Sequence, residues 1–204
     1  MPSGADEIVG LYERHAHAWD GDRRPDLTVE RAWIERFVAL LPAGSSILDI
    51  GCGSGQPIGK YLIEHGFDVV GVDSSPMLIS KCRTRFPDHE WIVADMRTLS
   101  VGRRFQGLIA WDSFFRLSHE HQRAMFPTFD KHAADGAALL FTTGAGHAEA
   151  RGLYHGEPLY HASLSPIEYL KLLGSHGFGV VAHTVEDPSC GQHTVWLAQS
   201  GRQQ

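Results

Sequence analysis

Cysteine is scarce in this chain of 204 residues, and what there is does not form a pattern: Cys52, Cys82 and Cys190 are odd in number, far apart and outside any C-x-x-C spacing. That excludes a disulfide framework and a thiolate zinc site, and it fits reduced thiols in a cytoplasmic setting. Basic runs are also missing. Arg23-Arg24 and Arg103-Arg104 are isolated pairs in a chain of net charge −6. A nucleic-acid binder carries a basic stripe, so no nucleic-acid partner is expected. No apolar run reaches the roughly 18 residues of a membrane span, so no membrane partner is expected either. The start, Met1-Pro2-Ser3-Gly4-Ala5-Asp6-Glu7, lacks the basic and apolar regions of a signal peptide. Repeats and low-complexity tracts are absent, and the length and composition fit one globular domain.

What is present is a glycine-rich turn between two acids. The apolar run Ile47-Leu48-Asp49-Ile50 leads into Gly51-Cys52-Gly53-Ser54-Gly55, and Phe67-Asp68-Val69-Val70-Gly71-Val72 ends at Asp73. Strand, glycine turn, helix, strand and acid are the layout of a nucleotide-binding βαβ unit. The third small residue of a dinucleotide fingerprint would fall at Gln56, which is too large for the close helix–strand contact made there. No Lys-Ser/Thr follows the last glycine, so the turn is not a P-loop. No Arg or Lys lies between Ile47 and Gly59, so nothing local calls for a phosphate. Asp49 at the mouth of the first strand suits a cationic group. Asp73, about 20 residues beyond the turn, suits a ribose diol. Structural roles compete: Asp49 as a turn cap, and Asp73 as the N-cap of the helix opened by Ser74-Ser75-Pro76. A ligand with a ribose and a positive charge but no phosphate fits S-adenosylmethionine better than NAD.

The segment Asp49-Ile50-Gly51-Cys52-Gly53-Ser54-Gly55 resembles motif I of the class I S-adenosylmethionine-dependent methyltransferases. Asp73 resembles that family's ribose-binding acid. Ala94-Asp95-Met96, after the strand 90–93, is similar to its adenine loop. Trp111-Asp112-Ser113-Phe114-Phe115 corresponds to its loop near the methionine end. The resemblance covers residues 45–145 well and the C-terminal strands more loosely. It implies S-adenosylmethionine as methyl donor, S-adenosylhomocysteine as product, and a cofactor set of Asp49, Gly51, Cys52, Gly53, Gly55, Asp73, Ser74, Asp95, Met96 and Trp111.

Periodicity along the chain predicts helices over 6–20 and 29–41, then strand 46–50, helix 57–65, strand 68–72, helix 75–85, strands 90–93 and 106–111, helix 119–133 and strand 137–143. An irregular stretch follows. Ser165-Pro166-x-Glu168 then opens a helix through Gly174, with serine as N-cap, proline at N1 and glutamate at N3. Strands 179–185 and 193–198 close the chain as an antiparallel hairpin before a polar tail from Ser200. Alternating β and α segments with unalternated apolar strands imply an α/β fold. The expected architecture is one Rossmann-like, doubly wound, seven-stranded sheet, mostly parallel with an antiparallel C-terminal strand and helices on both faces. Residues 1–44 form a helical cover, 45–145 the cofactor-binding core, 146–163 an irregular insertion on the substrate side, and 164–200 the final helix and strand hairpin.

The reaction is narrowed by further absences. Trp111-Asp112-Ser113-Phe114 is not the Asn/Asp-Pro-Pro-Tyr of amino-methylating DNA enzymes, and no cysteine nucleophile lies in that region. Asp112 lacks the acidic partner after strand five that a catechol-type Mg²⁺ site needs, because Thr142-Thr143-Gly144-Ala145 stands there. His15-x-His17 and His119-x-His121 point apart on a helix, so no metal is expected. A small-molecule acceptor remains, through oxygen or nitrogen. An oxygen nucleophile also needs a proton acceptor. The chain's 13 histidines supply His119, His121 and His155 as catalytic candidates, with Glu157 and His161 nearby. Tyr12, Trp19, Phe114, Tyr154 and Tyr160 are candidates to line the acceptor pocket, with His17 and Phe115 beside them, although packing of helix on sheet accounts for the same residue types. Two other functions share these features: a fold-sharing enzyme of non-methylating chemistry, and a non-catalytic binding module. The sequence assigns no oligomeric state.

Overall fold

The computed structural model describes residues 4–201. Three helices come first: α1 (Gly4–Arg14), α2 (Ala16–Asp22) and α3 (Arg31–Val38). The core follows as β1 (Ser46–Ile50), α4 (Ile58–Glu64), β2 (Asp68–Asp73), α5 (Pro76–Arg85), β3 (Glu90–Val93), β4 (Phe105–Ala110), α6 (His119–His132) and β5 (Ala133–Thr143). The chain ends with β6 (Ala148–Tyr154), β7 (Glu157–Ser163), α7 (Pro166–Ser175), β8 (Phe178–Asp187) and β9 (His193–Ser200).

Seven strands form one sheet in the order β3-β2-β1-β4-β5-β9-β8. β1 pairs in parallel with β2 on one side and β4 on the other, and β9 is antiparallel to both β5 and β8. Successive strand residues face opposite sides of the sheet. Ile47, Val69 and Ile109 pack toward Trp33, Phe37, Leu62 and Ile79. Leu48, Val70 and Leu108 pack toward Phe114, Phe126, Phe141 and Tyr169. Both faces are covered, which is why these strands read as unbroken apolar runs. The strand order reverses between β1 and β4, so a crevice opens at their carboxyl ends, where ligands of such sheets bind. The glycine turn follows β1, and the Trp111–Leu117 loop follows β4.

Three sequence expectations change. The helix expected over 6–20 breaks at His15, which leaves helical geometry with φ −104° and ψ 15°. Its Nε2 lies 2.7 Å from the Glu157 carboxylate and its ring stacks on His155, contacts that an uninterrupted helix would not favour. The segment expected to be irregular, 146–163, is a two-stranded antiparallel hairpin. Most of β6 is exposed, so there is no alternation to mark it as a strand. Its turn at Tyr154-His155-Gly156-Glu157 carries positive φ at His155 (48°) and Gly156 (83°), the geometry of a tight hairpin turn. The polar tail begins later than expected, because β9 runs through Ser200. The first residues of the N-terminal segment and most of the tail lie outside the described residues.

Buried polar contacts fix the hairpin to the core. Gln122, on α6, donates to the carbonyls of Leu117 and Ala162 at 2.9 and 2.8 Å and accepts the Tyr169 hydroxyl at 2.5 Å. Tyr160 and Ala162, on β7, bury themselves against Ile8 of α1. The hairpin is therefore braced against the N-terminal helices.

Candidate functional site

A cleft of about 700 Å³ opens at the carboxyl ends of β1, β2 and β4. Its floor includes Gly51, Gly53, Asp73, Ser74, Asp95, Met96, Trp111 and Asp112, and its roof Tyr12, Trp19, Arg23 and Arg116. A smaller recess beside it is lined by Asp49, Gly51, Cys52, Gly53, Gln56 and Trp111, again under Trp19 and Arg23. Nine of the ten cofactor residues expected from the sequence line the cleft or its recess, counting Asp49 and Cys52 in the recess. Gly55 does not: it is buried against Phe86, Trp91 and Cys82. Gly53, whose amide Asp73 binds, carries the shared edge of both cavities.

The turn is closed on itself. Gly51 and Cys52 amides both donate to the Val72 carbonyl at 2.7 and 3.0 Å, and Gly55 donates to the Cys52 carbonyl at 3.0 Å. The Gly53 amide donates to Asp73 Oδ2 at 3.0 Å. Amides spent in this way do not form the open nest that cradles a phosphate. The glycines are required by geometry: φ is 80° at Gly51 and 57° at Gly53, and a Cβ on Gly51 would sit 2.3 Å from Ser113 Cβ. Ser113 cannot retreat easily, because its hydroxyl donates to the Ile50 carbonyl at 2.7 Å.

Asp73 ends β2 and also accepts the Ser75 amide at 2.9 Å. Burial raises its pKa, and the amides of Ser75, Gly53 and Ser74 oppose that rise. Ser75, not Asp73, is the N-cap of α5, its hydroxyl accepting the Leu78 amide. Asp49 is only 4% exposed. Burial pushes its pKa up to about 7, the Asp73 charge adds to the rise, and Arg23 opposes it. A buried carboxylate with this much stored electrostatic cost is poised to receive a cation. On the opposite wall Asp95 is gripped by Arg97, whose Nε lies 3.0 and 2.9 Å from its two oxygens. The Asp95 carboxylate is thus held below the usual range despite burial. Burial raises the pKa of the Cys52 thiol well above its ordinary value, which argues against nucleophilic chemistry there.

The roof is aromatic. Tyr12 and Trp19 meet edge to face at 4.9 Å, Trp19 meets Tyr154 at 6.0 Å, and the Arg23 guanidinium lies over the Trp19 ring at 4.5 Å. The Trp19 Nε1 atom is 3.2 Å from where a Gly53 Cβ would stand, so the indole covers the turn. Tyr12 Oη and Arg116 Nε are buried without hydrogen-bond partners, and both residues line the cleft. Arg14 and His15 pair with Glu157, and Tyr154 donates to Asp22 at 3.1 Å, tying the hairpin to α1 and α2. His17 is exposed.

The three catalytic histidines expected from the sequence are not brought to the cleft. His119 Nε2 lies between the carbonyls of Ala148 and Ser163 at 3.1 and 3.0 Å, and its ring stacks on His147. It clamps the base of the hairpin. His121 turns its Nδ1 to the Ser118 hydroxyl at 3.1 Å. His155 is exposed at the hairpin turn. Among the acceptor-pocket candidates, Tyr12 and Trp19 line the cleft, and Tyr154 sits behind Trp19. Phe114 is fully buried among Phe126, Phe129 and Phe141, and Tyr160 is buried beneath α1, so neither reaches an acceptor.

Sequence reading named His161 but missed His193, Arg23 and Arg116, the charged side chains around Asp112. His193 Nε2 lies 2.9 Å from Asp112 Oδ1, and Arg23 approaches Oδ2 at 3.5 Å. Hydrogen bonding and charge from Asp112 lift the His193 pKa up to about 10. Arg116 hydrogen-bonds His161, and burial together with the Arg116 charge holds the His161 pKa down to about 4. No local spacing signals these pairs. The positive φ of Asp112, 53°, is the one backbone mark on the loop.

Comparison with known proteins agrees with this architecture. The family described as Methyltransferase domain matches residues 47–136. A dTDP-3-amino-3,4,6-trideoxy-alpha-D-glucopyranose N,N-dimethyltransferase of Streptomyces venezuelae is 29% identical over 137 residues, covering 64% of this chain and 57% of that protein. A dTDP-3-amino-3,6-dideoxy-alpha-D-glucopyranose N,N-dimethyltransferase of Streptomyces fradiae is 34% identical over 102 residues, covering 50% of this chain and 38% of that protein. The chain thus spans less than two thirds of either relative. A solved 1,6-didemethyltoxoflavin-N1-methyltransferase of Burkholderia thailandensis, with S-adenosylhomocysteine bound, superimposes with a TM-score of 0.71 at 17% identity, covering 97% of this chain and 87% of that one. Fold and domain match define a methyltransferase-type α/β protein. Over residues 47–136 the chain matches the Methyltransferase domain family, and it shares the fold of solved methyltransferases.

Proposed function

We propose that this protein transfers a methyl group from S-adenosylmethionine to an oxygen or nitrogen of a small-molecule acceptor, without a metal. One observation carries the reading: the glycine turn spends its amides on acceptors within the protein, while two carboxylates, Asp49 buried and Asp73 half-buried, flank the cleft it borders. That combination suits a cationic, phosphate-free nucleoside. Asp73 would accept the ribose hydroxyls on the lone pairs its two amides leave free. Asp49, in the recess, would face the positively charged methionine end. Met96 and Leu78 offer apolar surface to the adenine. Tyr12 Oη and Arg116 Nε are buried donors that a polar ligand would satisfy. The donor supplies a methyl on a sulfonium, ready for in-line displacement. The protein's part is to align the acceptor with it and to keep water out under Tyr12 and Trp19.

The relatives named above are, by their names, N-methyltransferases of small molecules, which favours a small-molecule acceptor. Among the described residues no three His, Cys, Asp or Glu side chains group to hold a metal ion, and no helix is long and apolar enough to cross a membrane. A cytoplasmic setting is part of the proposal and rests on the three free, buried thiols. The test is retention of methyl-labelled S-adenosylmethionine in equilibrium dialysis, followed by release of S-adenosylhomocysteine when acceptors are added. Failure to retain the label would remove the proposal.

A further inference from the structure

Asp112 stands where two cavities meet. With Arg23 and Trp111 it lines the main cleft, and the same three residues line an outer opening of about 500 Å³ between α2, Glu30 and His193. A second reactant arriving through the outer opening would meet the contents of the cleft at this wall. We infer that Asp112 is a catalytic residue that accepts a hydrogen bond from the reacting nitrogen of an amine acceptor, and that His193 is the positioning residue that holds it there. This rests on the methyl-transfer reading above and names the acceptor class for the same site.

Asp112 is pinned from three directions. Its own amide donates to Thr142 Oγ1 at 2.9 Å. His193 Nε2 lies 2.9 Å from Oδ1, with His193 Nδ1 held 2.5 Å from the Cys190 carbonyl. Arg23 Nη2 lies 3.5 Å from Oδ2. Its φ of 53° is a left-handed conformation, rare outside glycine, asparagine and aspartate and common at working sites. The groups that face it are Arg23 after α2, Arg116 in the turn after β4, His193 at the start of β9 and Tyr12 on α1. His161, on β7, feels its charge.

The choice of amine follows from what this set can do with protons. Burial would raise the Asp112 pKa, but the hydrogen bond and charge of His193, with Arg23 and Arg116, hold it below the ordinary value. So ionised a carboxylate is a poor base for a hydroxyl. His193, already protonated near neutral pH, is no base. His161 holds a proton only in acid, and its Nε2 is engaged by Arg116. A preformed oxyanion beside Asp112 would be repelled. A free amine needs no proton removed before it attacks, and the surrounding cations favour it over its ammonium form. The nitrogen lone pair forms the N–C bond, and the C–S pair stays on sulfur. The positive charge that develops on nitrogen is met by Asp112, and the product ammonium then gives its proton to water.

The test uses the full chain saturated with S-adenosylhomocysteine and matched fragments, cyclohexylamine against cyclohexanol and benzylamine against benzyl alcohol, titrated by NMR at pH 7.5 and pH 9. Both amines are mostly ammonium in this range, so amine affinity is expected to rise at least fivefold between the two pH values as the free base forms, and an affinity that stays flat or falls would overturn the free-amine assignment. The amines are expected to bind at least tenfold more tightly than the alcohols, and Asp112→Asn, which keeps the left-handed backbone accessible, is expected to lose at least fivefold of that preference. In the protein without ligand, the His193 Cε1–H resonance is expected to stay in its protonated position past pH 8, and to titrate near the ordinary histidine range in Asp112→Asn. Equal binding of alcohols, no saturable amine binding, or an unchanged preference in Asp112→Asn would overturn the amine assignment. A native His193 that titrates near pH 6.5 would overturn the ion pair whether or not S-adenosylhomocysteine binds. Absence of S-adenosylhomocysteine binding would instead overturn the methyl-transfer reading.

Discussion

Replacing Gly51 with alanine would put a Cβ 2.3 Å from Ser113 Cβ and 2.7 Å from Ser113 Oγ, at a φ of 80°. The left-handed backbone alone costs an alanine about 1–2 kcal/mol. The clash is relieved only if Ser113 moves, which breaks the buried hydrogen bond to the Ile50 carbonyl at 2.7 Å. Leaving that carbonyl unpaired costs about 1–3 kcal/mol. The two together come to about 2–5 kcal/mol, a large share of a domain's net stability. For a chain of this size each kcal/mol moves the melting temperature by about 2–4 °C, so Gly51→Ala should melt about 4–20 °C below the native protein. Thermal unfolding followed by circular dichroism reads this directly. Ser113→Gly alone loses the same hydrogen bond to the Ile50 carbonyl, so adding it to Gly51→Ala should cost less than about 1 kcal/mol more, because coupled neighbours are not additive. A melting temperature within about 2 °C of native for Gly51→Ala would refute the packing described for this turn.

Further outcomes follow from the same geometry. Asp73→Ala should weaken S-adenosylhomocysteine binding by about 1.5–3 kcal/mol, one to two decades in dissociation constant by calorimetry, and an unchanged constant would remove Asp73 from the site. Asp49 has a folded pKa of about 7, above its ordinary value, so its contribution favours folding at low pH and is lost as pH rises from about 4 to about 7. Ligand-free Asp49→Asn should therefore be more stable than native at pH 8 but not at pH 4, as read by denaturant unfolding. A cation bound beside Asp49 lowers that pKa, so S-adenosylmethionine should bind more tightly at pH 8 than at pH 5 in the native protein, with a flatter dependence in Asp49→Asn. Glu157→Gln breaks a half-exposed pairing with Arg14 and His15 and should change global stability by less than about 1 kcal/mol. Its effect should show instead as faster amide exchange over β6 and β7, and unchanged exchange would mean that the pairing does not hold the hairpin down.

The sheet was readable because its strands are buried on both faces and announce themselves as apolar runs such as Leu108-Ile109-Ala110. The lining of the cleft beside the glycine turn is legible because one contiguous turn and one acid at strand spacing carry it. The hairpin was not, because β6 buries almost nothing and its only local signal is the His155-Gly156 turn. The acceptor side was not, because its pairs join distant parts of the chain. Asp112 and His193 are 81 positions apart, and Arg116 and His161 are 45 apart. His119 looked catalytic by residue type and position, yet its ring is spent on two backbone carbonyls at the hairpin base. The Gly55 reading failed for a related reason: the third glycine of the turn serves packing against Trp91 and Phe86, not approach to a ligand.

The central claim is that this turn and its two acids bind a cationic, phosphate-free nucleoside. Calorimetric titration of the native protein with S-adenosylhomocysteine, and in parallel with NAD, tests it most directly. One-to-one binding of S-adenosylhomocysteine with a dissociation constant of about 1–100 μM, about −8 to −5 kcal/mol, and no heat with NAD is the predicted result. Saturable NAD binding, or no S-adenosylhomocysteine binding at millimolar concentration, would contradict it.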